Sequence, residues 1–216
     1  MKPIFYVAVD DVITDFVIAN TPLREICKRF PLYLLSSGED TGVFRRRYQK
    51  GTVIKCKEND FQLKGQQFFN YLQKNKIDCD CVVRLDVDAV VFDIDWLLRI
   101  LKLNLMREKL GFIGNLVDRG KDRVYIRGAC QAITYKLADK LSLQPTGKSD
   151  EYDYMFTVAA EEAGCKYIPY NLFEVTRVYT YTVPVWHPPK SALPERLAYF
   201  KRHIKKYKRY KKYRKR

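Results

Sequence analysis

Short apolar runs alternate with stretches of helical period along the first two thirds of the chain. This alternation restricts the fold to an α/β sheet covered by helices on both faces. Ile4 to Val9 is apolar, short and stopped by Asp10 and Asp11, as expected of a buried strand. Leu32 to Leu35 and Val53 to Lys55 have the same character, and Ser36-Ser37-Gly38 reads as a turn. Thr21 to Arg29 reads as a helix behind a Thr21 cap, with Pro22 at its first position. Gly65 to Lys74 sets Phe68, Phe69, Tyr71 and Leu72 at helical spacing, so it is expected to pack on the sheet. Cys81 to Leu85 is a strand, and Trp96 to Leu103 an amphipathic helix that Asp95 would cap. Phe112 and Ile113 are strand. Val124 to Ile126 and Ala132 to Thr134 flank the short segment Arg127-Gly128-Ala129, and Ala138 to Leu141 is helical. A further helix starts near Asp150 and runs to Ala163, with Gly164 as its terminator; Tyr167 to Pro169 and Val175 to Val185 are extended.

The 216 residues, 47% hydrophobic with 16 Tyr and 12 Phe, can build one sizeable core. The formal charge of +15 is uneven. Residues 196–216 hold twelve Lys or Arg and no acid, which leaves +3 for the rest. The expected organisation is one domain over residues 1–193 and a basic, Tyr-rich tail over 194–216, helical or disordered. A helical tail would set Tyr207, Tyr210 and Tyr213 on one stripe. That pattern suits an anionic membrane surface, at about 1 kcal/mol per nearby cation; a solvated tail explains it equally well. The apolar run from Pro3 to Val9 is too short for a signal-peptide core or a membrane span, so a cytoplasmic site and reduced thiols are expected for the six cysteines. Cys79-x-Cys81 lacks a second pair at ligand spacing and reads as small buried residues entering a strand.

The most informative segment is Val82 to Phe92, an apolar run broken by Asp86 and Asp88. Burying two bare carboxylates costs several kcal/mol each. A divalent cation would compensate, and hard cations such as Mg²⁺ or Mn²⁺ take oxygen ligands and share their shell with phosphate. A solvated turn after the strand is the plainer alternative. In open α/β sheets, ligands lie beyond the carboxyl ends of strands, which is where Asp10, Asp11, Asp86 and Asp88 all fall.

The order Asp60 to Lys64, Phe68 to Leu72, then Arg84-Leu85-Asp86-Val87-Asp88-Ala89-Val90-Val91, resembles the central motif of the Fringe and β-1,3-galactosyltransferase family. Here Val87 replaces the middle Asp and Arg84 replaces a Lys. The resemblance implies a GT-A fold, a Rossmann-like mixed, mostly parallel sheet, and a transferase that moves a sugar from a nucleotide-sugar donor. It makes Asp88 a direct metal ligand and puts Asp86 near the donor ribose or a metal-bound water. Tyr125 to Ile133 resembles the family's small-residue segment beside the donor sugar, with Gly128 and Ala129 in the place of its two glycines. Asp150-Glu151-Tyr152-Asp153 falls where the family opens a helix with its catalytic base, which implies Asp153 first and Glu151 second in that role; a helix cap is the structural alternative. His187, one of two histidines, falls where the family completes the metal shell, and an imidazole ligand suits Mn²⁺ better than Mg²⁺.

On this reading the nucleotide meets Val9, Asp10 and Asp11, the diphosphate meets Asp86, Asp88 and His187, and Arg47, Lys50 or Lys64 adds positive charge nearby. The basic run Arg45 to Lys50 is otherwise exposed surface. The acceptor would be a glycan, lipid-linked or protein hydroxyl, and the anomeric centre would invert. Two rivals stand beside this. A nucleotidyltransferase also uses carboxylate-held metals, and nucleic-acid binding through the tail would explain the charge but none of the ordered acidic islands.

Overall fold

The computed structural model describes residues 1–9, 14–37, 41–56, 61–118, 124–142, 152–175, 182–189 and 193–214. A seven-stranded sheet runs in the order β3-β2-β1-β4-β7-β6-β8, built from β1 (Pro3–Val9), β2 (Leu32–Ser36), β3 (Thr52–Lys55), β4 (Cys81–Leu85), β6 (Gly111–Asp118), β7 (Val124–Thr134) and β8 (Lys166–Pro169). All neighbours are parallel except β7, which is antiparallel to both β4 and β6. This is the expected mixed, mostly parallel architecture. A small second sheet, β5-β10-β9, joins Val90–Val91, Val185–His187 and Phe173–Val175.

Alternate residues of β1 point to opposite faces, as the period of a strand demands. Phe5, Val7 and Val9 enter one buried cluster, and Ile4 and Tyr6 enter the other. The first cluster takes residues from α1 (Thr14–Ala19), α2 (Thr21–Arg29), α3 (Thr41–Arg47), α5 (Ile94–Asn104) and α8 (Leu193–Arg214). The second takes them from α4 (Phe61–Lys74), α6 (Tyr135–Ser142) and α7 (Tyr152–Glu162). Strands buried on both faces explain why β1, β2 and β4 read as continuous apolar runs.

Several local expectations are corrected. The cap of α2 is Asn20, whose Oδ1 accepts from Leu23 N at 3.0 Å, not Thr21. The cap of α5 is Asp93, which accepts from Trp96 N at 2.9 Å; Asp95 instead pairs with Arg29 at 2.6 Å. Arg127-Gly128-Ala129 lies within the single strand β7, at the irregularity where its pairing with β6 shifts register, rather than between two separate strands. Cys79 and Cys81 are buried free thiols at the start of β4, as small core residues would be.

The basic segment at the end of the chain is α8, and its first half belongs to the core. Phe200, Ile204 and Tyr207 are buried, Phe16 packs on Phe200, Phe92 packs on Tyr207, and His203 stacks on Trp186 at 3.7 Å. Lys201, Arg202, Lys205 and Lys206 face solvent, so the helix has an apolar inner side and a cationic outer side. Tyr207 therefore faces the core, while the side chains of Tyr210 and Tyr213 lie outside the described residues. Among the described residues, no helix is long and apolar enough to cross a membrane.

Candidate active site

The strand order reverses between β1 and β4, the place where an open α/β sheet leaves a crevice at its carboxyl edge. β4 ends at Leu85, and Asp86 begins a turn closed by a hydrogen bond from Ala89 N to Asp86 O at 2.9 Å. Asn20 clamps this turn from below. It is fully buried, and its Nδ2 donates to Val87 O at 2.8 Å and to Ala89 O at 3.1 Å while its Oδ1 caps α2. One side chain thus ties the first α/β unit to the acidic turn.

His187 arrives from a remote part of the chain. β10 pairs antiparallel with β5, Trp186 opposite Val90, so His187 follows on the side of Ala89 and Asp88. Its Nε2 stands 3.0 Å from Asp88 Oδ1 and 3.6 Å from Asp86 Oδ2. Asp86, Asp88 and His187 place one ligand atom each within 4.8 Å of one another.

Two arginines complete the cluster. Arg84, buried on β4, reaches Asp86 Oδ1 at 3.3 Å with one nitrogen and Asp153 Oδ1 at 2.9 Å with the other. Arg196 on α8 pairs with Asp88 Oδ2. Three carboxylates therefore face two guanidiniums and an imidazole. Burial opposes ionisation of Asp86, but His187, Arg84 and Arg196 outweigh it and hold the carboxyl well below the usual range. Burial likewise disfavours the His187 imidazolium, and the Asp88 and Asp86 charges outweigh it and push its pKa up to about 9.

This internal charge balance leaves the hydrogen bonding incomplete. Both Asp88 oxygens are buried and held only by ion-pair contacts, Oδ1 with His187 Nε2 and Oδ2 with Arg196, and His187 Nδ1 is buried without a hydrogen-bond partner. Two buried carboxylates and an imidazole gathered at one strand end are costly to hold by ion pairs alone, which marks the cluster as a candidate ligand site. Two carboxylates and a borderline imidazole fit a divalent cation of the Mn²⁺ kind.

Asp153, in the first turn of α7, is held from two sides. Arg84 donates to its Oδ1, and Gly128 N donates to its Oδ2 at 2.9 Å. A Cβ at residue 128 would run into the Asp153 carboxylate and come within 2.8–2.9 Å of both terminal Arg84 nitrogens. Glycine is what allows β7 to approach this carboxylate. Ala129 accepts from Asp86 N at 3.1 Å, which links β7 to the acidic turn through the backbone.

The other residues singled out from sequence fall elsewhere. Val9 ends β1, and its carbonyl accepts from the fully buried Lys64 Nζ at 2.8 Å, so this lysine braces the strand end from within the core. Arg47 donates to Ile18 O at 3.2 Å and lines a cleft between α2 and α3. Asp10, Asp11 and Glu151 lie outside the described residues. Sequence reading missed three residues. Arg84 carried a signal, as a charge inside an apolar strand. Asn20 drew no reading, and Arg196 was counted only as the first cation of the basic tail.

No family model matches the sequence, and no curated protein does. Solved structures do. A glycosyltransferase involved in glycosylation of the major capsid of PBCV-1 aligns with a TM-score of 0.57 at 11% identity, over 95% of this chain and 99% of that one. The glycosyltransferase GlyE of Streptococcus pneumoniae TIGR4 aligns with a TM-score of 0.54 at 14% identity, over 93% of this chain; the present chain spans 61% of GlyE's length. The 4-diphosphocytidyl-2C-methyl-D-erythritol synthase of Anaerococcus prevotii DSM 20548 aligns at 0.56 and 11% identity, over 94% and 96% of the two chains. Similarity at this level concerns the fold. The chain has the GT-A-like α/β fold, which glycosyltransferases and a nucleotide-linked synthase hold in common.

Proposed function

We propose that the protein is a divalent-metal-dependent glycosyltransferase that moves a hexose from a nucleoside-diphosphate sugar, a UDP-sugar by preference, to an acceptor hydroxyl. The observation that carries this reading is the Asp86–Asp88–His187 cluster at the carboxyl edge of β4, whose three ligand atoms lie within 4.8 Å of one another. The motif order around Asp86 and Asp88 supports a Fringe-like relative within the GT-A architecture. When bound, the cation would supply positive charge to the diphosphate leaving group. Asp86, Asp88 and His187 would hold it.

The chain's own residues do the rest. Arg84 couples the metal side to the sugar side by touching Asp86 and Asp153 together. Asp153 uses one lone pair on each oxygen for Arg84 and Gly128, so each oxygen retains one for a hydroxyl. In that position it takes the proton of the acceptor, which attacks from the face opposite the leaving group and inverts the anomeric centre. Gly128 and Ala129 line the sugar side, and Val9, with Asp10 and Asp11, the nucleotide side. The cationic outer side of α8 suits an anionic membrane surface and hence a lipid-linked or membrane-bound glycan acceptor.

The test is donor binding measured by thermal shift over a panel of nucleotide sugars, with and without Mn²⁺. A true donor stabilises by mass action. Asp88→Ala is expected to lose the Mn²⁺-dependent part of the shift; full retention would sink the metal site. The fold shared with the synthase favours one second reading, nucleotidyl transfer. Product analysis separates them, since sugar transfer releases a nucleoside diphosphate and nucleotidyl transfer releases pyrophosphate.

A further inference from the structure

A second polar cavity lies away from this site. The cleft between α2 and α3 has a volume of about 520 Å³, within the usual range for a small-ligand pocket. Arg24 and Lys28 line it from α2, and Arg46, Arg47 and Lys50 from the end of α3 and the turn after it. Glu25 is the one carboxylate in the lining, and Lys28 already pairs with it at 3.0 Å. Arg47 is spent on the carbonyl of Ile18. Arg24, Arg46 and Lys50 have no acidic partner among the described residues.

Two further atoms argue that the cleft is more than solvated basic surface. Arg24 Nε and Thr21 Oγ1 both belong to lining side chains, and both are buried without a hydrogen-bond partner. A buried donor left unmet costs about 1–3 kcal/mol, so a small shift of these side chains toward an acceptor in the cleft would be favourable. Guanidiniums favour planar, multi-oxygen anions, and phosphate groups match their fork.

The position separates this cleft from the strand-edge site. Gly51 follows the lining residue Lys50, and a Cβ added there would meet the carbonyl of Leu32, the first residue of β2, at 3.2 Å and Cys27 of α2 at 3.3 Å. The cleft therefore runs along α2 from Thr21 to Lys28, with Lys50 just before the entering end of β3, and none of Asp86, Asp88 and His187 lines it. Asp86 follows the leaving end of β4, which runs parallel to β2 and β3.

We propose that the α2–α3 cleft binds a phosphate-bearing anion, independently of the metal cluster. The chemistry fits a free phosphorylated small molecule or the phosphomonoester headgroup of a lipid. The test uses the full chain in chelator, which silences the metal site, and titrates inorganic pyrophosphate by calorimetry. Wild type is expected to bind, Asp88→Ala to bind equally, and Arg24→Gln/Lys50→Gln to bind at least about tenfold more weakly. Because Arg24 is half-buried, Arg46→Gln/Lys50→Gln, both at exposed positions, gives the same readout without burden on the fold. Sedimentation with phosphatidylcholine vesicles, with and without phosphatidic acid, identifies the source. Cleft-dependent retention on phosphatidic acid points to a headgroup, and pyrophosphate binding without it points to a soluble ligand; both uphold the site. No pyrophosphate binding, or equal affinity in wild type and both double variants, overturns it. A failed donor screen at Asp88 leaves this result untouched.

Discussion

Arg196, in the first turn of α8, forms an ion pair with Asp88, the nearly inaccessible carboxylate that follows β4. The end of the chain thereby reaches the centre of the acidic cluster, and a guanidinium takes one of the two oxygens that a cation would use.

Removing that guanidinium leaves Asp88 buried with His187 as its remaining cationic neighbour. Arg196→Gln should destabilise the metal-free protein by about 1–3 kcal/mol. Mn²⁺ should recover the loss, because it binds only the folded state and now meets no competitor for Asp88 Oδ2. Thermal unfolding with and without Mn²⁺ checks both parts; an unchanged metal-free melting temperature would mean that the pair contributes nothing to the fold.

Gly128→Ala should separate folding from activity. The added methyl meets the ends of two side chains, Asp153 and Arg84, rather than backbone, so those ends can move and the strand can stay. The variant should unfold close to wild type but transfer sugar slowly. Asp153→Asn gives the comparison, with a loss of ~10²–10⁴ in rate if the carboxylate is a general base. Wild-type turnover in both variants would remove Asp153 from the chemistry.

His203 gives the fold a pH dependence. Burial lowers its pKa below the ordinary histidine value, and the Lys206 and Arg202 charges add to this. The Tyr199 carbonyl, 2.9 Å from Nδ1, and Glu174 oppose it. The unfolded chain then binds a proton more readily than the folded one. The neutral ring's contribution is complete above about pH 6.5 and is lost as pH falls below it. Denaturant midpoints measured between neutral and mildly acidic pH should fall in wild type more than in His203→Phe, which keeps an aromatic ring on Trp186.

Deleting residues 194–216 should unfold the protein rather than trim it. Phe200, Ile204 and Tyr207 are buried, and each large apolar side chain contributes about 1.5–3 kcal/mol. Together they approach the whole net stability of a typical domain, about 5–15 kcal/mol. A soluble, cooperatively melting truncation would show that α8 is dispensable. Lys205→Glu/Lys206→Glu, on the outer side, should leave melting unchanged and weaken binding to anionic vesicles.

Much of this was legible in the residues. β1, β2, β4 and the helices α2 and α4 announce themselves because strands buried on both faces must be apolar and helices lying on them must be amphipathic, whereas the short helices α1 and α3 were not anticipated. Asp86 and Asp88 stand out for the same reason, as charges where burial forbids them unless they are compensated. The choice of Asp93 over Asp95 as the cap of α5 was not legible, since both offer the same carboxylate and only backbone angles distinguish them.

The linear chain by itself determined the α/β class, the acidic turn at a strand end and the inner stripe of each helix, because periodicity and burial act over a few residues. Only the tertiary structure decided that Asn20 clamps the turn, that Arg84 joins Asp86 to Asp153, and that Arg196 closes on Asp88. These contacts link residues far apart in the chain, apart from the step from Arg84 to Asp86. Local pattern carries no record of them; they follow from strand order and from how α8 packs, which the whole core sets at once.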